Sequence, residues 1–395
     1  MLVITDTAAL TALCDRLASA EFVTVDTEFM RERTYWPILC LVQLAGPDDA
    51  AVIDAQAPGL DLGPLFKLMG NPKVLKVFHA ARQDIEIFHH LTGSIPTPLF
   101  DTQVAAMVCG FGESVGYETL ASKLARARID KSMRFTDWSR RPLSEKQLHY
   151  ALADVTHLRI AYEKLAHRLA ETGRLEWVAE EMGVLSSPAT YVTQPEDAWE
   201  RLRLRSANPR FLAIVRELAA WREREAQGRD LPRNRVLRDE VLLDIAAQAP
   251  ANDEELARTR SVSRSGIAGW MKDGILAAVA AARAIPDAEL PRLPERRELP
   301  RGIGPVVDLL KVLLKMKSEA EDVAARLIAS SDDLELIASD DAAPVAALSG
   351  WRLEVFGSDA LRLKHGELAL AVKGREVRLV ETAGGQSRTA ASARG

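Results

Sequence analysis

In the first half of the chain the spacing of apolar positions switches repeatedly between two and about 3.6 residues, the periods of strand and helix. Residues 5–19, TDTAALTALCDRLAS, open with a polar cap and continue at helical spacing. FVTVDTEF (22–29), LCLVQLAG (39–46) and DAAVIDA (49–55) follow as short β-rich runs and predict successive strands. GLDLGPLFKLMG (59–70) predicts a helix, KVLKVFHA (73–80) another strand, and ARQDIEIFHHLTG (81–93) a helix stopped at Gly93. From DTQVAAMVCG (101–110) onward the pattern is helical, ending in the long run SEKQLHYALADVTHLRIAYEKLAHRLAETG (144–173). Strands followed by alternating helices give an α/β domain with a mixed sheet, assigned to residues 1–183.

The second half reads differently. GVLSSPATYVTQPEDAW (183–199) is rich in Ser, Thr and Pro without a sustained period, and residues 184–199 are expected to be a linker. Beyond it the pattern is all-helical, in two blocks, 200–285 and 300–382, separated by the proline-rich AIPDAELPRLPERRELPRG. The tail AGGQSRTAASARG (383–395) is expected to be disordered. A length of 395 residues agrees with two or three domains.

Composition adds exclusions. At 47% hydrophobic and 27% charged residues the chain is that of a soluble globular protein, and no stretch approaches the ~18 uninterrupted apolar residues of a membrane span. The N-terminus lacks a basic region followed by an apolar block, so a cytoplasmic location is expected. Cys14, Cys40 and Cys109 are scattered, without C-x-x-C spacing, and read as core thiols rather than disulfides or zinc ligands. The net charge of −5 gives no reason to expect a nucleic-acid partner, but its distribution does. Between Leu120 and Gln147, Lys123, Arg126, Arg128, Lys131, Arg134, Arg140, Arg141 and Lys146 face only Asp130, Asp137 and Glu145. A second run, with more acids interleaved, carries Arg201, Arg203, Arg205, Arg210, Arg233, Arg235 and Arg238. Such runs are either solvated faces or phosphate contacts.

The candidate chemistry lies in four carboxylates placed where elements meet: Asp26 and Glu28 on the first strong strand, Asp84 in FHAARQD and Asp154 in YALADV. Side chains alternate along a strand, so Asp26 and Glu28 share a face. Two like charges that close repel, and the pair is stable only with a cation between them or with both in water. Asp154 follows Tyr150 by one helical turn, placing a phenol beside a carboxylate, where it can orient or deprotonate an attacking water.

VDTEF, HAARQD and YALADV, in that order, resemble the Asp-x-Glu, Asp and Tyr-x-x-x-Asp motifs of the DEDDy 3′-5′ exonucleases. DTEFMRERTYWPILCLVQLA, FDTQVAA, DKSMRFTDWSRRPLSEKQLHYALADV and the helical second half are similar to the ribonuclease D family over nearly the whole chain. The resemblance implies an RNase H-like exonuclease domain followed by two HRDC-type helical domains. It implies that Asp26, Glu28, Asp84 and Asp154 bind two divalent cations, Mg²⁺ or Mn²⁺, and that Tyr150 places the attacking water. Hard oxygen donors without a Cys or His cluster suit those ions. The implied activity is hydrolysis of RNA from its 3′ end by a monomer, releasing nucleoside 5′-monophosphates, with tRNA precursors as substrates.

Other residues stay open at this level. His79 either touches substrate or is a satisfied histidine; Met30, Tyr35 and Trp36 either stack on a terminal base or belong to a core. Arg201, Arg203, Arg205 and Arg235 are candidate RNA contacts. A DNA exonuclease and a non-catalytic nucleic-acid-binding module are the alternatives, since a metal site that acts on phosphate does not select the sugar.

Overall fold

In the computed structural model, which describes residues 2–133, 136–293 and 300–382, the α/β domain is built on a six-stranded sheet. Its strands are β1 (Leu2–Ile4), β2 (Phe22–Met30), β3 (Ile38–Ala45), β4 (Ala50–Asp54), β5 (Leu75–Phe78) and β6 (Leu99–Asp101), in the order β1-β4-β3-β2-β5-β6. β2 pairs antiparallel with β3 on one side and parallel with β5 on the other, so the sheet is mixed as expected. The apolar period missed β1 and β6, which at three residues each are too short to show one.

Helix boundaries follow local chemistry. Asp6 caps the helix Thr7–Leu17 by accepting from the Ala9 amide at 2.9 Å. Ser144 and Gln147 form a reciprocal capping box at the start of the helix Glu145–Glu171. Gly93 ends the helix Arg82–Thr92 in a left-handed conformation, φ 69°. Helix Glu145–Glu171 lies across the sheet, pinned where Thr24 Oγ1 on β2 donates to the Val155 carbonyl at 2.8 Å.

The stretch read as a linker is packed rather than loose. Helix Leu175–Leu185 runs into it, two 3-10 segments follow at Pro188–Thr190 and Pro195–Arg201, Tyr191 joins the core of the α/β domain, and Ala198 joins that of the next helical block. Apolar residues spaced at 3-10 turns carry neither period, which hid them. The second helical block shares its core with the α/β domain: Trp351 stacks on Trp177 at 4.2 Å, and Arg352 pairs with Glu180 and Glu181. That block is also not all-helical. Leu368–Lys373 and Glu376–Glu381 form an antiparallel hairpin turning at Gly374, φ 67°. Its LALAVKGREVRLVE places two β-rich runs on either side of a Gly-Arg turn, a signal overlooked beside the preceding helices. The tail from 383 lies outside the described residues. No helix among the described residues is long and apolar enough to cross a membrane. All three cysteines are buried and unbonded.

The first helical block has its own core and docks on the α/β domain through a polar latch. Tyr35, only 7% exposed, donates its hydroxyl to Glu223 and accepts from Arg233 at 2.8 Å and Gln227 at 3.2 Å. Burial alone raises Glu223, but the Arg233 and Tyr35 hydrogen bonds outweigh it and hold the carboxyl below its usual range. Glu223→Ala leaves the buried Tyr35 hydroxyl and the half-buried Arg233 without their acceptor, a loss of about 1–3 kcal/mol. Thermal unfolding should show it as a clear drop in midpoint, whereas Glu223→Gln, which keeps an acceptor, should fall between that variant and wild type; equal midpoints for wild type and Glu223→Ala would refute the latch.

Candidate active site

β2 carries Asp26 and Glu28 on the face that meets helix Glu145–Glu171, the same face as Thr24. Tyr117 fixes that helix at the critical turn by donating to the Ala153 carbonyl at 3.2 Å and to the Asp154 carbonyl. Carboxylate oxygens of Asp26, Glu28 and Asp154 thereby lie within 4.8 Å of one another. Asp84, in the first turn of helix Arg82–Thr92, approaches from the other face, where Thr27 donates its hydroxyl to Oδ1. It lines the same cavity, of about 640 Å³, but does not join the three-carboxylate group.

The loop that delivers Asp84 is held by Asp101. Its carboxylate accepts from the Ala80 amide at 3.0 Å, the Ala81 amide at 2.8 Å and the Gln103 amide at 2.7 Å. Ala80 sits at φ 57°, a left-handed conformation that costs an L-residue about 1–2 kcal/mol, and these bonds hold it there. Thr27, Asp101 and Tyr117 were not found by sequence reasoning, although FDTQVAA contains Asp101.

Crowded acids in a partly desolvated cavity hold their protons tightly. Burial and the neighbouring Asp154 push Asp26 up to about 8. Burial, Asp26, Asp154 and Asp84 push Glu28 up to about 10. Burial and Asp26 raise Asp84 well above the carboxylate range. Burial takes Asp154 to about 7, with the Tyr150 hydroxyl pulling the other way, and its Oδ1 is buried without a hydrogen-bond partner among the described residues. An all-oxygen donor set, mutual repulsion and an orphaned buried acceptor fit a hard divalent cation.

The linkage follows directly. Each acid is a weaker acid folded than unfolded, so folding takes up protons, and the metal-free protein loses stability as pH rises from about 4, where the unfolded groups ionise. The midpoint of thermal unfolding in chelator should therefore fall between about pH 5 and pH 8. Added Mg²⁺ should raise it more at the higher pH, since ligands must be deprotonated to bind. A flat profile with no metal response would contradict this electrostatics.

Tyr150 lines the cavity beside Trp138, ring centroids 6.2 Å apart. Burial, then the charges of Asp154, Glu28 and Asp26, raise its phenol, so its hydroxyl keeps its proton near neutrality. His79 also lines the cavity; Nδ1 meets Thr102 Oγ1 at 3.0 Å, Nε2 is buried without a partner among the described residues, and burial lowers its pKa. Met30 is on the wall as well, and the basic stretch contributes Thr136, Asp137 and Trp138.

Tyr35 and Trp36 do not line the cavity. Tyr35 is taken up by the Glu223 latch and Trp36 stacks on His90 at 4.1 Å, so neither ring is presented to a base there. Two arginines of the basic runs are taken up within the structure, and a third faces an acid at the surface. Arg141 pairs with Asp54 at 2.5 Å, Arg210 binds the Ala282, Arg283 and Ile285 carbonyls at the end of a helix, and Arg205 faces Asp244 at 3.4 Å. Arg203 and Arg235 are exposed, Arg201 lines the cleft between the α/β domain and the first helical block, and Arg134 lies outside the described residues.

Comparison with known proteins agrees with this geometry. A 3′-5′ exonuclease family model matches residues 1–170 and an HRDC domain model matches residues 211–279. Ribonuclease D of Acidiphilium cryptum is 59% identical over 95% of this chain and 96% of that protein, and ribonuclease D of Granulibacter bethesdensis is 56% identical over 96% of each. The crystal structure of Escherichia coli RNase D superposes with a TM-score of 0.77 at 32% identity, covering 92% of this chain and 98% of that one. With its fold and nearly all of its length matched, the chain belongs to the ribonuclease D family.

Proposed function

We propose that this 3′-5′ exoribonuclease works at the cavity beneath helix Glu145–Glu171, with Asp26, Glu28, Asp84 and Asp154 holding two divalent cations, Mg²⁺ or Mn²⁺. The observation that carries the reading is the carboxylate group of Asp26, Glu28 and Asp154, whose oxygens lie within 4.8 Å of one another in a cavity walled by Met30, Trp138 and Tyr150. A bound metal pair would supply a nucleophile at neutral pH and offset charge on the attacking and leaving oxygens.

The chain's own residues do the positioning. Tyr150, protonated, donates toward Asp154 and orients the water beside it, which favours orientation over proton abstraction. Asp84, held by the Thr27 hydroxyl on the wall of the same cavity, would complete the set of oxygen donors for a bound cation. His79 gives its Nδ1 hydrogen to Thr102 Oγ1, whose own proton goes to the Phe78 carbonyl, and stands in the cavity wall as a neutral imidazole. The substrate is RNA with a 3′ extension, for which tRNA precursors are the reading carried from the family, and the setting is the cytoplasm. The E. coli relative is described as an exoribonuclease involved in structured RNA processing.

A second HRDC-type fold fits the block 300–382. Long, four-residue and medium helices succeed one another at Pro209–Gly228, Arg233–Val236 and Asp239–Gln248, and again at Gly304–Glu321, Ala325–Ile328 and Ser331–Ser339. Both four-residue helices end on a residue at φ −155° whose amide bonds back four residues. The choice of RNA over DNA is tested by presenting paired RNA and DNA oligonucleotides of one sequence: preferential loss of RNA supports it, and equal or faster loss of DNA favours a DNA exonuclease.

A further inference from the structure

A smaller, mostly polar chamber of about 150 Å³ lies beside the catalytic cavity. Four guanidinium groups from separate segments line it: Arg31 just past β2, Arg82 opening helix Arg82–Thr92, Arg201 closing the segment Pro195–Arg201, and Arg233 from the first helical block. Two of them are neutralised. Arg31 makes two bonds of 2.7 Å to Glu86, and Arg233 is gripped by Glu223 at 2.5 and 2.6 Å. The other two meet only neutral oxygens among the described residues, Arg82 the Thr190 carbonyl at 3.3 Å and Arg201 the Thr193 hydroxyl at 3.0 Å.

An interface that needed only cohesion would pair these charges. Instead two exposed arginines from different segments line one chamber without a carboxylate of their own, its one acid, Glu86, being taken by Arg31, and their forked donors match phosphate oxygens. The chamber is also on a route. Arg31 lines the catalytic cavity, and Arg31, Arg201 and Arg233 line a wider cleft of about 860 Å³ between the α/β domain and the first helical block, where Arg238 adds an exposed charge.

We infer that this chamber binds a phosphate group through Arg82 and Arg201, and that the phosphate is a backbone phosphodiester of the RNA upstream of the bond being cut. The inference rests on the exonuclease reading of the neighbouring cavity. Arg31 and Arg233, oriented by their carboxylates, frame the site, and the Tyr35 latch keeps its two sides in register. The same phosphate chemistry is offered by a free mononucleotide, the product of the reaction.

The test uses the full chain in chelator, so binding is read without turnover. Fluorescence anisotropy compares wild type, Arg82→Gln, Arg201→Gln and the double variant on labelled RNAs of two and eight nucleotides across a salt series, with circular dichroism to confirm folding. The expected result is weaker binding of the longer RNA by the double variant, a log–log salt slope shallower by about 0.7 for each phosphate no longer neutralised, and unchanged affinity for the dinucleotide. Arg201→Gln alone should show part of the effect should Arg82→Gln fail to fold. Wild-type affinity and slope in a folded double variant would overturn the inference. So would calorimetry in which a nucleoside 5′-monophosphate or inorganic phosphate binds through Arg82 and Arg201 while the RNA slope stays unchanged, since the chamber would then serve the product. An enzyme that binds RNA as described and hydrolyses none would fault the catalytic reading alone.

Discussion

Asp26→Asn should abolish RNA hydrolysis while making the metal-free protein no less stable. Removal of one preorganised charge-stabilising group typically costs ~10²–10³ in turnover, and a shared metal ligand should cost at least that. Asparagine keeps the shape of the side chain and removes one of the charges that push Glu28 and Asp84 up. In chelator at about pH 8, where carboxylate repulsion opposes folding, the variant should therefore melt at or above the wild-type temperature. Loss of activity with gain of stability is the mark of a site built for a ligand rather than for the fold. A variant that kept full activity, or melted well below wild type, would place Asp26 outside the catalytic machinery.

Tyr150→Phe is expected to slow the chemical step by the ~10²–10⁴-fold typical of a positioned proton-handling group, leaving RNA binding nearly intact. The ring packs beside Trp138 in either variant, so the change isolates the hydroxyl. Losing that donor removes a hydrogen bond that pulls Asp154 down in the metal-free protein, so metal loading, which needs Asp154 deprotonated, should require a higher pH and move the pH dependence of the residual rate upward. Single-turnover rates at saturating RNA, measured from about pH 6 to pH 9 to bracket the usual His-to-thiol range, separate this from a change in affinity. An unchanged rate and an unmoved profile would leave Tyr150 as a packing residue.

The central parts of the fold were legible because they are locally encoded. FVTVDTEF alternates at the strand period and shows at once that Asp26 and Glu28 share a face. Ser144 and Gln147 mark where the helix bearing Tyr150 and Asp154 begins. What stayed hidden depends on partners far away in sequence. Tyr35 stays undecided between a base-stacking ring and a core residue until Glu223, 188 residues on, turns it into a buried latch. Arg141 and Arg210 look like phosphate contacts until Asp54 and a helix end claim them. Thr27 is an ordinary strand residue until Asp84 arrives from another element. The convergence of Arg82 and Arg201 belongs to the same class, since nothing local connects a helix start with a segment beyond the α/β domain.

The most direct measurement follows RNA oligonucleotides blocked at either the 3′ or the 5′ end, with chelator and then with Mg²⁺ restored. No degradation is expected in chelator; with Mg²⁺, only RNA with a free 3′ end should shorten, stepwise, releasing nucleoside 5′-monophosphates. Undiminished degradation in chelator, or shortening of the 3′-blocked RNA from its 5′ end, would overturn the assignment of a metal-dependent 3′-5′ exoribonuclease.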